Sequence, residues 1–426
     1  MILLAESAFG GGRIALLAAL LLLPRVLQRW RVPAPITAFG IGIAAALGLD
    51  VFHGDPAVDL LSQLGIASLF LAAGMEVDLH ELRAQARTLA VHVTIGASLL
   101  VGATLLLVSQ AALAPRVAAI TALAVLTPSA GFILDSLSSL GLYRDERVWV
   151  RSKVIAAEFL ALGLLVFVGL GDLTAALLAL AVIAAMILLL PLVLRAFAAL
   201  VLPHTPRSEF AFLVLLAVVC ASVTKELGVY YLVGAFVVGV TARRFRERLP
   251  ALSSDTLVHA VEAFTSIAVP FYFFRAGTLV RGDDLTPVAL AAGVGFVVAS
   301  GALRAGAYAV HDVFARRDDL RSALRKSVPM LPTLVFSIVC VEILRAPPFA
   351  ASPTLLGALL VAATLSTVVP TFLLPGLRPP EITVGAPEFA PGPEAAPVAP
   401  APGPVAAATG APMPAPVTHE SQSPPP

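Results

Sequence analysis

Runs of about 18–25 mostly apolar residues recur along this chain, each closed by a short polar or basic stretch. That length carries an α-helix across the hydrocarbon core of a bilayer. The pattern predicts about thirteen spans, at approximately 5–27, 33–50, 58–77, 87–109, 116–138, 152–170, 173–200, 208–225, 228–243, 257–279, 286–310, 327–345 and 354–374.

The basic residues between the runs orient them. With the N-terminus outside, the inner loops hold Arg29/Arg31, Arg83/Arg87, Arg144/Arg147/Arg151/Lys153, Arg207, Arg243/Arg244/Arg246/Arg248, Arg316/Arg317/Arg321/Arg325/Lys326 and Arg378. The outer loops hold Arg116, Lys225, Arg281 and Arg345. A bias of about five to one obeys the positive-inside rule at each crossing, and one missed or invented span would scramble it. An odd number of spans, with the C-terminus in the cytoplasm, follows. The first apolar run lacks a preceding basic stretch, while Arg25, Arg29 and Arg31 follow it, which suits a retained first helix better than a cleaved signal.

Composition agrees. Of 426 residues, 58% are hydrophobic and only 13% charged, with a mean hydropathy of +0.93. Soluble chains run nearer a quarter charged, so the class is an all-α polytopic membrane protein, embedded in lipid. The net charge of +1 points to no partner. After residue 376 the chain turns to Pro, Ala and Gly with few charges, too poor in apolar bulk to pack. The expected division is therefore a membrane domain over 1–376 and a disordered cytoplasmic tail over 377–426. Cys220 and Cys340 sit inside apolar runs and imply no disulfide or metal framework.

An internal echo gives the membrane part a symmetry. LFLAAGMEVDLHEL at 69–82 resembles FFRAGTLVRGDDL at 273–285, about 203 residues on. Seven spans separate the copies, an odd number, so they lie inverted. The same offset sets the fifth span, broken by Thr127-Pro128-Ser129, opposite the twelfth, which carries Pro329 and Pro332. Prolines in matching spans of inverted halves point to a transporter's substrate site, where broken helices free backbone groups to face an ion.

Charges inside the spans supply the candidate chemistry. Glu158, in KVIAAEFLALGLLVFV, lies about two turns inside the cytoplasmic end of its span. A carboxylate there costs several kcal/mol unless it is paired, neutralised or wetted. It serves either as helix glue, protonated against a hydroxyl, or as a carrier of protons or ions. Arg304 and Arg275 also fall inside spans; always charged, they can act as fixed counter-ions but not carry protons. Snorkelling to the interface is the competing reading for both. Thr127 and Ser129 offer hydroxyls at the break, and Ser129-Ala130-Gly131 permits close helix approach. Glu262, Glu342, His92, His259 and His311 read as interface residues near span ends, and Asp135 as lining the cytoplasmic mouth. No nucleotide loop, zinc spacing or hydrolytic triad is present, so neither an enzyme nor a nucleic-acid binder is expected.

With these residues in place, the chain resembles the monovalent cation/proton antiporter superfamily, in particular its bacterial sodium/proton and potassium/proton branch. The resemblance covers about residues 10–375. It rests on RVPAPITAFGIGIAAALG, LGIASLFLAAGMEVDL, KELGVYYLVGAFVVGV with Gly234-Ala235-Phe236 and Gly239, and VPFYFFRAGTLV, taken in order and spacing. Position by position, Glu158 falls where the family has its essential aspartate, Ala157 where electrogenic members carry a second one, and Arg304 where many carry a lysine. Thr127-Pro128 and Pro329/Pro332 fall at two crossed, unwound helices. The resemblance implies Na+ or K+ exchanged for H+ in the inner membrane of a bacterium. It also implies a core domain moving against a dimerisation domain, a homodimer, and no cofactor. The single carboxylate implies one-for-one, electroneutral exchange. The proline-rich tail stands where some relatives carry a nucleotide-binding domain, which argues against nucleotide regulation. Rival readings are an organic-anion carrier using Arg275 and Arg304, and a membrane sensor signalling through its tail.

Overall fold

The computed structural model describes residues 2–30, 32–49, 52, 55–137, 142–205, 208–227, 232–246 and 255–377. The chain divides into Met1–Arg378 and Pro379–Pro426; the tail expected over 377–426 falls outside the described residues apart from Leu377. Described secondary structure is helical throughout: α1 (Ile2–Gln28), α2 (Ala34–Ala44, continued by a π-turn to Leu49), α3 (Pro56–Met75), α4 (Leu79–Ala84), α5 (Ala86–Ala111), α6 (Pro115–Leu126), α7 (Ala130–Ser136), α8 (Arg144–Leu170), α9 (Leu173–Leu200), α10 (Glu209–Glu226), α11 (Leu232–Arg246), α12 (Asp255–Thr278), α13 (Pro287–Arg316), α14 (Leu320–Ser327), α15 (Leu334–Arg345) and α16 (Pro353–Leu377).

Most of these helices fall on the predicted apolar runs, with α6 and α7 sharing one; α4 lies in a predicted loop, and α14 precedes the run predicted from 327, which holds α15. Among the described residues eight spans are long and apolar enough to cross a membrane, or nine with the bent pair α14/α15. α1, α2, α10 and α11 lie outside that set.

Local chemistry explains the ends. Asp55 caps α3 through the Ala57 and Val58 amides, with Pro56 next, where its missing N–H is no loss. Between α8 and α9 the turn is two residues long. Gly171 takes the left-handed φ of 66° that ends α8, and Asp172 caps α9 through the Thr174 and Ala175 amides. Arg116 donates to the carbonyls of Val168 and Gly169, placing a cation at the negative end of α8.

α8 starts eight residues before the predicted 152. Glu146 accepts the Tyr143 amide at 3.0 Å and adds negative charge to the first turn, which carries the helix out over Arg144, Arg147 and Arg151. Glu158 thereby lies midway along α8, not near its end, and Lys153, expected in a loop, is buried.

Two groups of helices form. In one, α3 packs against α11 and α12, α2 against α12, and α10 against α11. In the other, α5, α6 and α8 pack together, α13 lies against α16 and α14, and α15 against α6 and α16. The first group owes its tightness to small residues. A Cβ on Gly74 would come within 2.4 Å of the Phe236 carbonyl oxygen, and one on Gly239 within 2.2 Å of Leu71's. Gly42 and Gly277 make the same mutual contact between α2 and α12. In lipid, where no hydrophobic force drives helices together, backbone approach of this kind supplies the van der Waals gain.

Candidate functional site

The second group is organised around two interruptions. α6 stops at Leu126 and α7 begins at Ala130, leaving Thr127-Pro128-Ser129 extended, with Thr127 at ψ 121°. α14 stops at Ser327, a 3-10 turn holds Val328–Met330, and α15 begins at Leu334. The α14/α15 bend is 43°. Proline accounts for both, since it lacks the N–H that would continue the ladder. The breaks meet: the Ser129 amide donates to the Pro332 carbonyl at 2.8 Å.

Glu158 is buried from the α8 side, with its Oε2 3.2 Å from the Ala130 amide, the first of α7. Thr127 and Ser129 are buried within three residues of that amide, and neither hydroxyl has a hydrogen-bond partner. Among the described residues no basic side chain forms an ion pair with Glu158. Ala157, beside it, is half-buried. The structure thus brings Glu158, Thr127, Ser129 and Pro128 to one place, with Pro332 bonded to it.

Arg304 is buried on α13, so it does not snorkel. Its expected pairing with Glu158 is absent. The guanidinium donates instead to the Leu331 carbonyl at 3.0 Å and to the Met330 carbonyl, beside Pro329 and Pro332. The planar fork suits two adjacent acceptors, so Arg304 acts as a strut across the second break. Arg275 is tied to Asp59 of α3 and lies 3.8 Å from Glu342 of α15. It thus bridges the two helix groups. A cavity of about 470 Å³ lies there, lined among others by Ser62, Gln63, Lys225, Arg275, Glu342 and Leu165. Leu165 is two turns, about 10 Å, from Glu158 along α8.

Several residues went unforeseen. Asp312, about two turns along α13 from Arg304, is buried with Lys153, which it pairs, while Lys326 stands 3.8 Å away and the Trp149 indole donates at 3.1 Å. His92 and His311, expected at the interface, are buried and stacked at 5.9 Å beside this cluster. Burial follows from their neighbours: His92 also faces Tyr308, and His311 faces Trp149. Asp312 was legible only as an acid eight residues after an in-span arginine. Ser337, Thr333 and Ser366, also unforeseen, link the break at 331–333 to α6 and α16. His259 and Glu262 are exposed, and the Asp135 side chain is outside the described residues.

A buried carboxylate at the crossing of two interrupted helices, in an apolar multi-helix bundle, defines a membrane carrier of the broken-helix type. The family model "Sodium/hydrogen exchanger, transmembrane" matches residues 14–377, and the chain belongs to that family of antiporters. In fold it is similar to the sodium proton antiporter MjNhaP1 from Methanocaldococcus jannaschii, solved at pH 8: TM-score 0.64, 14% identity, 88% of this chain and 96% of that one. An electron-microscopy structure of MjNhaP1 matches with TM-score 0.62, 13% identity and coverage of 86% and 95%. No curated protein matches the chain by sequence.

Proposed function

We propose that this antiporter exchanges one monovalent cation, Na+ or K+, for one H+, with Glu158 carrying either. The observation that carries this reading is that Glu158 is buried with one amide donor and no ion-paired base among the described residues. At membrane depth a bare carboxylate is too costly to persist. It must hold a proton or a cation, and the two compete for the same charge. The unpartnered hydroxyls of Thr127 and Ser129 supply further oxygen ligands for a desolvated cation. Each loaded form is neutral, so exchange is electroneutral.

The rest of the reading follows from the family and the helix grouping. The group holding Glu158 moves against the group of α2, α3, α10, α11 and α12, which forms the homodimer interface and leaves residues 1–376 as the transport domain. The 470 Å³ cavity is the outer vestibule when the N-terminus is outside, in a bacterial inner membrane. MjNhaP1 is a sodium proton antiporter, which favours Na+ as the first cation to test. The organic-anion reading is weakened, because Arg304 is engaged by carbonyls and Arg275 by carboxylates.

Dye-reported proton flux in proteoliposomes, scanned over Na+, K+, Li+ and organic anions, tests the proposal. Alkali cations should drive flux with no dependence on membrane potential. Flux driven by an anion, and by no cation, would overturn it.

A further inference from the structure

We propose that Ser337 is a positioning residue for the cation site, acting through the Ala124 carbonyl at the end of α6. This rests on the reading that Glu158 carries the cation. Ser337 lies in the first turn of α15, and its Oγ is 2.7 Å from the Ala124 carbonyl and 2.9 Å from Thr333 Oγ1. The Ala124 carbonyl needs an outside donor. Its helical partner would be residue 128, a proline without an N–H, and the chain has already left helical geometry at Thr127.

A serine has a single proton to donate. The buried Ala124 carbonyl, left without a donor in its own helix, takes that proton, and Thr333 Oγ1 stands 2.9 Å from the same hydroxyl. Thr333 is held in turn by Ser366, whose Oγ accepts the Thr333 amide at 3.3 Å, lies 3.0 Å from Thr333 Oγ1 and donates to the Ala363 carbonyl. The hydroxyls thus link α16, the second break and α6, from Ser366 through Thr333 to Ser337 and the Ala124 carbonyl. That carbonyl lies one turn before Thr127.

Two ties now fasten the crossing on either side of the first break. Ser337 holds the carbonyl before it, and Pro332 accepts the Ser129 amide after it. Between them lie Thr127 and Ser129, whose buried hydroxyls have no hydrogen-bond partner and sit within three residues of the Ala130 amide that Glu158 accepts. Loss of the first tie frees the last turn of α6, so Thr127 loses its set position relative to Glu158 while the carboxylate and its Ala130 donor remain. The consequence is weaker, less selective cation binding with the turnover machinery intact.

The test is cation-dependent proton flux for Ser337→Ala, Ser337→Thr, Thr333→Val and Glu158→Gln in proteoliposomes, with Na+, K+ and Li+ each titrated. Ser337→Ala should raise the cation KM about tenfold, or about 1.4 kcal/mol, change the Na+/K+/Li+ ratios, and keep maximal flux within about twofold. Ser337→Thr, which keeps the hydroxyl, should return KM close to wild type. Thr333→Val, which leaves the Ser337 proton on Ala124 but removes the hydroxyl that holds Ser337 from the other side, should raise KM by about threefold; it decides the matter if Ser337→Ala does not fold. A wild-type KM and ion ratio in Ser337→Ala, or in Thr333→Val should it alone fold, overturns the proposal, as does Ser337→Thr matching Ser337→Ala. If Glu158→Gln is dead while Ser337→Ala is normal, only this proposal fails. If Glu158→Gln transports normally, the carboxylate reading itself fails.

Discussion

Replacing Arg304 separates two roles that a buried arginine can play. In the structure it is a strut: one Nη donates to the Leu331 carbonyl at 3.0 Å and the other to the Met330 carbonyl. A hydrogen bond from a charged donor contributes about 1.5–3 kcal/mol, so truncation to Ala removes about 3–6 kcal/mol and leaves two buried acceptors unmet. Lysine presents a point charge on a flexible stem and serves one carbonyl at a time, losing about half of that. Thermal stability should therefore fall from wild type through Arg304→Lys to Arg304→Ala, read as the folded fraction surviving heating on gel filtration in detergent. Because Arg304 and Glu158 are not ion-paired, the pH optimum of the flux remaining in Arg304→Lys should stay in place. A counter-ion would behave otherwise: its loss would release the carboxylate from an opposite charge that typically shifts a pKa by about 1–3 units. An Arg304→Ala protein as stable as wild type, with its optimum moved a unit or more to alkaline pH, would refute the strut.

Other consequences are simpler. Gly74→Ala puts a methyl within 2.4 Å of the Phe236 carbonyl oxygen, so α3 and α11 must part, and yield of folded protein should drop sharply on gel filtration. Deleting 380–426 should leave flux and folding near wild type, given that segment's lack of apolar bulk. Asp78 is held below the usual carboxylate range, chiefly by the Glu81 amide and also by Arg243. A lowered folded-state pKa gives stability that is present above the unfolded value and lost as pH falls through the folded one. Asp78→Asn should therefore destabilise at neutral pH and cost nothing well below pH 4, as acid melts of the two proteins would show.

Much of the fold was legible because lipid imposes a coarse rule. Apolar runs long enough to span, with arginine biased to one side, located α3, α5, α9, α12 and α16 within a few residues. Paired prolines marked both breaks, since a missing N–H is a property of the residue itself. Start points were harder: α8 extends back to Arg144 because Glu146 caps it, a local bond that hydropathy does not register. Contacts between distant segments were the least legible. That Arg304 would choose the Met330 and Leu331 carbonyls over Glu158 depends on where α13 crosses the second break, and nothing in its own span encodes that. Lys153 looked like a loop cation until Asp312, 159 residues away, was placed against it. Ser337 resembled any serine in a membrane helix; its meaning depends on Pro128 in the opposite half.

Glu158→Gln is the most direct measurement of the central claim. Glutamine keeps the volume and can still accept from the Ala130 amide, but it cannot exchange a proton for a cation. In proteoliposomes containing equal amounts of folded protein, cation-driven proton flux should vanish in Glu158→Gln and persist, with an altered pH profile, in Glu158→Asp. Wild-type flux through Glu158→Gln would contradict the account.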